Sequence, residues 1–235
     1  MIRFRLAVIV AAGLSTRLGS QASDRPKGLL EVSGEALLAR SVRLLNRNGI
    51  EKILVVVGDK RPMIEKALGN RLQYAFNPFF AGTNNMASLW FAKTWAGDKP
   101  FLYLHGDIIY SENLLSSFIA GIKNGDALSV DFGPTDAEAM KVRLANNRFI
   151  ESSKDIPADK SAGEWVGLAA FSDPQKLFAK IESLLEKNHL KDYDTLALTE
   201  MAAEGHDFLL IPTNGEPWMD IDFKKDLDRA RELFL

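Results

Sequence analysis

The chain has 235 residues, of which 46% are hydrophobic and 26% charged, with a formal net charge of −2 and no cysteine. A length of this order supports one large α/β domain with a substantial core, so residues 1–235 are read as a single domain. The near-neutral charge gives no electrostatic case for nucleic acid, the lack of cysteine excludes disulfides and thiolate metal sites, and no apolar run approaches the ~20 residues of a membrane span. A soluble protein of a reducing, cytoplasmic compartment is the expectation, with no membrane insertion.

The first element is the apolar run of residues 6–12, LAVIVAA. Arg3 and Arg5 before it imitate a signal peptide. The run is short for that role, however, and Thr16-Arg17 follows where a cleavage site would lie. A continuous run rich in β-branched residues and ended by Gly13 reads instead as a strand buried on both faces. A small, basic loop follows, with Gly13, Ser15, Thr16, Arg17, Gly19 and Ser20, closed by Pro26-Lys27. A glycine-bearing turn after a buried strand lets backbone N–H groups approach phosphate oxygens, and Arg17 and Lys27 add positive charge at either end. The cradle suits a triphosphate. It is not a P-loop, because Ser20 stands where the lysine belongs, and Gly13-Leu14-Ser15 breaks a dinucleotide fingerprint.

Residues 11–18 (AAGLSTRL) and 26–30 (PKGLL) resemble the signature loop, A-A-G-x-x-[ST]-R-[LM] then P-K-x-L, of the nucleotidyltransferase superfamily. Its members, MobA-like and sugar-nucleotide pyrophosphorylase-like enzymes, join an NTP to a phosphorylated small molecule. The resemblance implies a Rossmann-like, doubly wound, mostly parallel sheet, the nucleotide-diphospho-sugar transferase fold. It implies that Ala11, Ala12, Gly13, Leu14, Ser15 and Thr16 hold the NTP, and that Arg17 and Lys27 are catalytic, neutralising the departing pyrophosphate.

Further along, residues 35–48 read as a helix with Leu37, Leu38, Ser41, Leu44 and Leu45 on one face and Gly49 as its stop. Strands at 52–57 and 71–76 flank a short helix at 62–68, giving the β-α-β-α-β order of a parallel sheet. Asn77-Pro78 ends the third strand, and Thr83 or Asn84 can cap the next helix. Asn84, Asn85 and Ser88 offer more donors and acceptors than a cap requires and could read a base edge. The enzymes acting on phosphorylated amino-alcohols have a similar N-N-x-x-S-L, which implies that these three lie near the cytosine or the second substrate.

Residues 100–105 form a fourth buried strand, followed by Gly106-Asp107. A carboxylate just past a parallel strand's carboxyl end, beside a triphosphate, is a natural Mg²⁺ ligand. The strand-G-D match to the family implies nucleotide binding at Gly106 and metal binding at Asp107. His105 reads as a strand-end packing residue. A helix at 111–122, capped by Ser111, and a strand at 126–132 follow. Residues 140–144 and 148–152 alternate around an Asn146-Asn147 hairpin turn. From here the chain departs from β-α alternation and reads as a mixed β extension over the acceptor side of the crevice.

Where sugar-nucleotide enzymes have a Glu-Lys pair, this chain has Ser153-Lys154. The departure argues against a sugar 1-phosphate and keeps Lys154 as an acceptor-phosphate ligand. Met140-Lys141-Val142, Ser153-Lys154-Asp155 and residues 163–168 (GEWVGL) resemble the cytidylyltransferases for choline phosphate and 2-aminoethylphosphonate. Glu164 and Trp165 could recognise an ammonium head by charge and ring face, although Trp165 reads equally well as core. Helices are expected at 173–188 and 192–203. Asp192 and Asp194 either suit a helix dipole or, with Tyr193, line a cationic pocket. After a strand at 207–212, Trp218-Met219-Asp220-Ile221-Asp222 precedes a helix at 224–234. In an extended segment Asp220 and Asp222 share a face, and two carboxylates on one face want a cation between them. The family has [DE]-I-D here. That implies metal binding by Asp222, and by Asp220 beside it, opposite Asp107; helix capping is the alternative for Asp222.

The reading that results is a Mg²⁺-dependent nucleotidyltransferase passing CMP from CTP to a small phosphorylated or phosphonate amino-alcohol. Rival readings are a sugar- or polyol-phosphate nucleotidyltransferase, guanylyl transfer to a molybdenum cofactor, and a binder that has lost chemistry. A homodimer is compatible with the sequence but not indicated by it.

Overall fold

The computed structural model describes residues 3–14 and 25–234. The first strand, β1 (Leu6–Ala11), leads to the short hairpin β2 (Glu31–Val32) and β3 (Glu35–Ala36), then α1 (Leu37–Arg47), β4 (Lys52–Val57), α2 (Arg61–Leu68) and β5 (Gln73–Phe76). Next come α3 (Asn85–Trp90), α4 (Lys93–Ala96), β6 (Phe101–His105), β7 (Ile108–Tyr110) and α5 (Glu112–Gly121). The later part holds β8 (Asp126–Phe132), β9 (Lys141–Ala145), β10 (Arg148–Ser153), β11 (Gly163–Phe171), α6 (Pro174–Glu186), α7 (Asp194–Ala203), β12 (Phe208–Pro212), β13 (Trp218–Asp220) and α8 (Lys224–Leu233).

Among the described residues the main sheet has nine strands. Its central path runs β10-β9-β11-β6-β1-β4-β5, and β8 joins β11 to β12. β1 pairs in parallel with β4 and with β6, and β5 pairs in parallel with β4. The expected doubly wound arrangement is present. Alternate residues of β1 feed opposite faces, as strand geometry requires. Ala7 and Ile9 pack with α1, α2 and α5 on one face. Val8 and Val10 pack with α3, α4, α6 and α7 on the other. The run LAVIVAA is therefore the centre of the sheet, buried on both sides.

The extension is mixed: β8, β9, β10 and β11 pair antiparallel, and β12 runs parallel to β8. β11 runs against β6 through residues 168–171 and against β9 at Gly163 and Glu164. Between these stretches its register with β8 shifts, and Gly167 sits at the shift with φ +81°. A Cβ on Gly167 would come within 2.9 Å of the His105 Nδ1, so the strand bulges around the histidine ring only because this residue has no side chain. Gly167→Ala is expected to lower stability by about 1–2 kcal/mol from the left-handed backbone alone. Urea unfolding measures it, and an unchanged midpoint would refute the strain.

Local signals held where they were chemical. Ser111 Oγ accepts the Leu114 N–H, Asn84 Oδ1 accepts the Asn85 N–H, and Asn146 and Asn147 adopt φ of 51° and 60° in the β9–β10 turn. The expected helix at 35–48 is shorter, because Ser33 and Gly34, both at positive φ, turn the chain into a hairpin that takes Glu35 and Ala36. A second, unexpected pairing joins β13 to β7, with Asp220 opposite Ile108. Around it a third apolar cluster forms from Leu30, Leu37, Ile109, Ile221, Leu227 and Ala230.

Candidate active site

The carboxyl ends of β1 and β6 open into a cleft of about 600 Å³, where open α/β sheets bind ligands. Ala11, Ala12, Gly13 and Leu14 line it at the end of β1, and Gly106 and Asp107 line it just past β6. The expected nucleotide loop and strand-four carboxylate thus share one cleft. Ser15, Thr16 and Arg17 lie outside the described residues. The Gly106 N–H is spent on the Val10 carbonyl at 2.8 Å, which ties the two strand ends together.

Lys27 enters from a 3-10 turn (Lys27–Leu29). Gly28 sits so close behind it that a Cβ would fall 2.5 Å from the Leu38 side chain. The Lys27 ammonium lies 3.4 Å from Asp107 Oδ2 and also contacts Asp222 Oδ1. Burial pulls its pKa down, but the two carboxylates outweigh burial and hold it above the ordinary lysine value. The lysine is therefore charged and bridges two acids from distant segments of the chain.

Two elements bring those acids together. The β7–β13 ribbon leads the chain back past Asp107, where the Ile221 N–H donates to the Asp107 carbonyl at 3.0 Å. Asp226 of α8 then accepts the Asp222 N–H at 3.1 Å and the Phe223 N–H at 2.7 Å. Asp226 thus does the capping, and the Asp222 side chain turns to Lys27.

Asp220 ends β13 and Asp222 lies just beyond it; both line the cleft, while Ile221 between them is buried in the third apolar cluster. Among the described residues no group of three acids or histidines is assembled for a metal. Asp107 and Asp222 converge on one cation, and Asp220 lines the same cleft near them. Surrounding protein and Asp107 push the Asp220 carboxyl upward even though the cleft wets it. Two carboxylates with room for phosphate and water oxygens fit Mg²⁺, a hard cation that keeps much of its shell.

The wall beyond is acidic. Asp131, Asp136, Glu138 and Glu164 line it around Lys154. Glu164 Oε1 accepts the Met140 N–H at 3.2 Å, and burial, then Asp136 and Asp131, push this acid up to about 7. Lys154 lies 3.3 Å from Glu138 Oε2 and over the Tyr193 ring. Trp218, which the sequence left unassigned, donates its indole N–H to Asp131 at 3.0 Å.

Three expected site residues serve mainly to hold the wall. Trp165 borders the cleft but is buried, stacked on Tyr103 with its N–H on the Leu168 carbonyl, so little ring face remains for a ligand. Ser88 is buried between the Asn77 amide and the Asn84 carbonyl. Asp194 is only 3% exposed. It accepts Tyr103 Oη at 2.5 Å and Asn85 Nδ2 at 3.0 Å, and its Oδ2 pairs with His105 Nε2 at 2.8 Å. Asn84 and Asn85 reach the cleft, but the Asn84 amide also donates to the Lys191 carbonyl. His105, read as packing, lines the cleft and is the partner of Asp194. Its only signal in the sequence was its place directly before Gly106-Asp107.

Residues 7–195 match the profile of the MobA-like NTP transferase domain, well over half of the chain. The chain belongs to the MobA-like NTP transferase family. Relatives of this MobA-like transferase include the bifunctional IPC transferase and DIPP synthase of Thermococcus kodakarensis, 29% identical over 97% of this chain and 50% of the relative. Another is the CMP-5′-(3-aminopropyl)phosphonate synthase of Streptomyces rubellomurinus, 27% identical over 95% of this chain and 38% of that protein. The chain thus spans half or less of the length of these relatives. Among solved structures, the inositol-1-phosphate CTP transferase from T. maritima superposes with a TM-score of 0.84 at 23% identity, covering 98% of this chain and 94% of that one. The likeness establishes a shared nucleotidyltransferase fold. No helix among the described residues is long and apolar enough to cross a membrane.

Proposed function

We propose that this MobA-like transferase passes CMP from CTP to a small phosphorylated or phosphonate amino-alcohol and releases pyrophosphate. The observation that carries the acceptor reading is the charge of the wall beyond the nucleotide loop. One lysine, Lys154, suits the acceptor's phosphate or phosphonate, and the acids around it suit an ammonium group. The Streptomyces relative is a CMP-5′-(3-aminopropyl)phosphonate synthase, and an aminoalkyl phosphonate agrees with that charge pattern.

The acceptor oxygen is already anionic near neutral pH, so the reaction requires no general base. A new bond forms from that oxygen to the α-phosphorus, the α–β bridging P–O bond breaks, and pyrophosphate leaves with the electron pair. Catalysis is then positioning and charge neutralisation. Lys154 orients the acceptor. Arg17, Lys27 and the amides following β1 are assigned to the phosphates. Asp107 and Asp222 would hold a Mg²⁺ ion, which supplies Lewis-acid stabilisation of phosphate charge when bound. Asn84 and Asn85 are assigned to the nucleotide end and Glu164 to the acceptor end.

Acid-lined walls also accept hydrogen bonds from hydroxyls, which keeps a polyol phosphate as the second reading. Pyrophosphate release with Mg²⁺, each NTP in turn and a panel of 2-aminoethylphosphonate, ethanolamine phosphate, choline phosphate, glucose 1-phosphate and inositol phosphate separates the two. Turnover with CTP and an amino-alcohol acceptor is the expected result. Turnover with inositol phosphate alone overturns the acceptor reading. Lys154→Ala is expected to raise the acceptor KM by about ten-fold or more, the scale of one charge-assisted hydrogen bond, while the KM for CTP stays put. An equal rise in both would count against its acceptor role.

A further inference from the structure

The place between Asp107 and Asp222 is held by an ammonium group of the chain itself. The Lys27 Nζ reaches both carboxylates at once. Its side chain is only 15% exposed, and the close packing of Gly28 on Leu38 fixes the backbone behind it, so the contact does not depend on a loosely held surface lysine. The same lysine stands at the end of the nucleotide loop, lining the cleft beside Gly13.

We propose that Lys27 reserves the carboxylate pair: it excludes a free divalent cation and yields the site only to a metal that arrives with a triphosphate. The argument is a balance of like and unlike charge. Two carboxylates that converge without a cation repel. An ammonium between them relieves that repulsion and also repels any second cation, because a divalent ion must displace a charge of its own sign from a largely desolvated position. A metal–nucleotide complex changes the balance. It brings anionic oxygens to which the ammonium can move, so lysine and metal each keep negative partners while exchanging places. Binding is therefore ordered, with the metal–NTP complex as the entering species. In the empty enzyme the same contact keeps Asp107 and Asp222 in register.

This inference rests on the metal-clamp reading, and its test distinguishes the two. Mn²⁺ binding to the nucleotide-free protein is followed by electron paramagnetic resonance of free Mn²⁺ for wild type, Lys27→Met and Lys27→Met/Asp222→Asn. Circular dichroism checks that each variant is folded. The wild type is expected to bind Mn²⁺ weakly. Lys27→Met should bind it about ten-fold or more tightly, as removal of a like charge from the site requires, and the added Asp222→Asn change should abolish the gain. Lys27→Met should also lose thermal stability in EDTA and recover it on addition of Mn²⁺, a readout independent of turnover. Lys27→Arg, which keeps the positive charge, is expected to bind Mn²⁺ as weakly as wild type; Mn²⁺ binding as tight as that of Lys27→Met would overturn the charge argument. Equal Mn²⁺ affinity in wild type and Lys27→Met overturns the reservation while leaving the clamp intact. A gain that survives Asp222→Asn, or Mn²⁺ that fails to bind wild type even with CTP present, overturns the clamp itself.

Discussion

Asp107→Asn is expected to lower pyrophosphate release by about a thousand-fold, at the upper end of what one preorganised electrostatic group contributes. The substitution keeps the size of the side chain and the carbonyl that receives the Ile221 N–H, so the β7–β13 ribbon should persist. What it removes is one of the two negative charges that converge on Lys27. Extra CTP should not rescue the rate, because the loss lies in stabilising the transition state rather than in uniform binding. Asp220→Asn is the matched comparison. Asp220 lies on the same ribbon but outside the convergence, so its effect on kcat should be much smaller. Steady-state assays of the two variants check this, and near-normal turnover by the Asp107 variant would remove the metal clamp from the mechanism.

Asp194→Ala is expected to cost about 3–5 kcal/mol of stability, the scale of breaking a buried pair by removing one partner. Four polar groups lose their partner at once: Tyr103 Oη, the Asn85 amide, the His105 ring and the Thr195 N–H. For a chain of this size the melting temperature should fall by roughly 10 °C. Calorimetry measures it, and a fall of only a degree or two would mean that water replaces the carboxylate. The pair also makes a prediction about pH. Burial lowers the His105 pKa, but the Asp194 charge and hydrogen bond outweigh it, and the folded value is raised from 6.5 to about 9. A raised folded pKa contributes stability that is complete below pH 6.5 and is lost as pH climbs towards 9. In metal-free buffer, the stability advantage of wild type over His105→Asn should therefore shrink between pH 6 and pH 9.5. A constant gap would show that the imidazole is neutral throughout.

How much of this was legible in the sequence depended on the range of the interaction. The buried strand of LAVIVAA, the Ser111 cap, the Asn146-Asn147 turn and the β-α alternation of the first half all follow from residues within a few positions of one another, and all are found. The site was legible as a set of residue types, since the Gly13 loop, Lys27, Asp107, Lys154 and Glu164 do line one cleft. What was hidden came from pairing between distant segments. Ile108-Ile109-Tyr110 is too short to announce a strand, so nothing local revealed that Trp218–Asp220 would lie against it. Burial was hidden for the same reason: Asp194 and Ser88 carry the polar chemistry of a pocket, yet neighbours from α3 and β6 close over them.

The route by which Asp222 reaches the cleft also governs when the protein can become active. Asp107 belongs to the end of a central strand that β1 can pair with early. Its counterpart has no place to stand until β13 has zipped onto β7 and Asp226 of α8 has gripped the backbone at Asp222 and Phe223. During synthesis the parallel core can therefore be complete while the catalytic clamp is still half made. On the proposed mechanism, a nascent chain at that stage would hold the core but perform no transfer, so assembly of the last ribbon would be the step that completes the site.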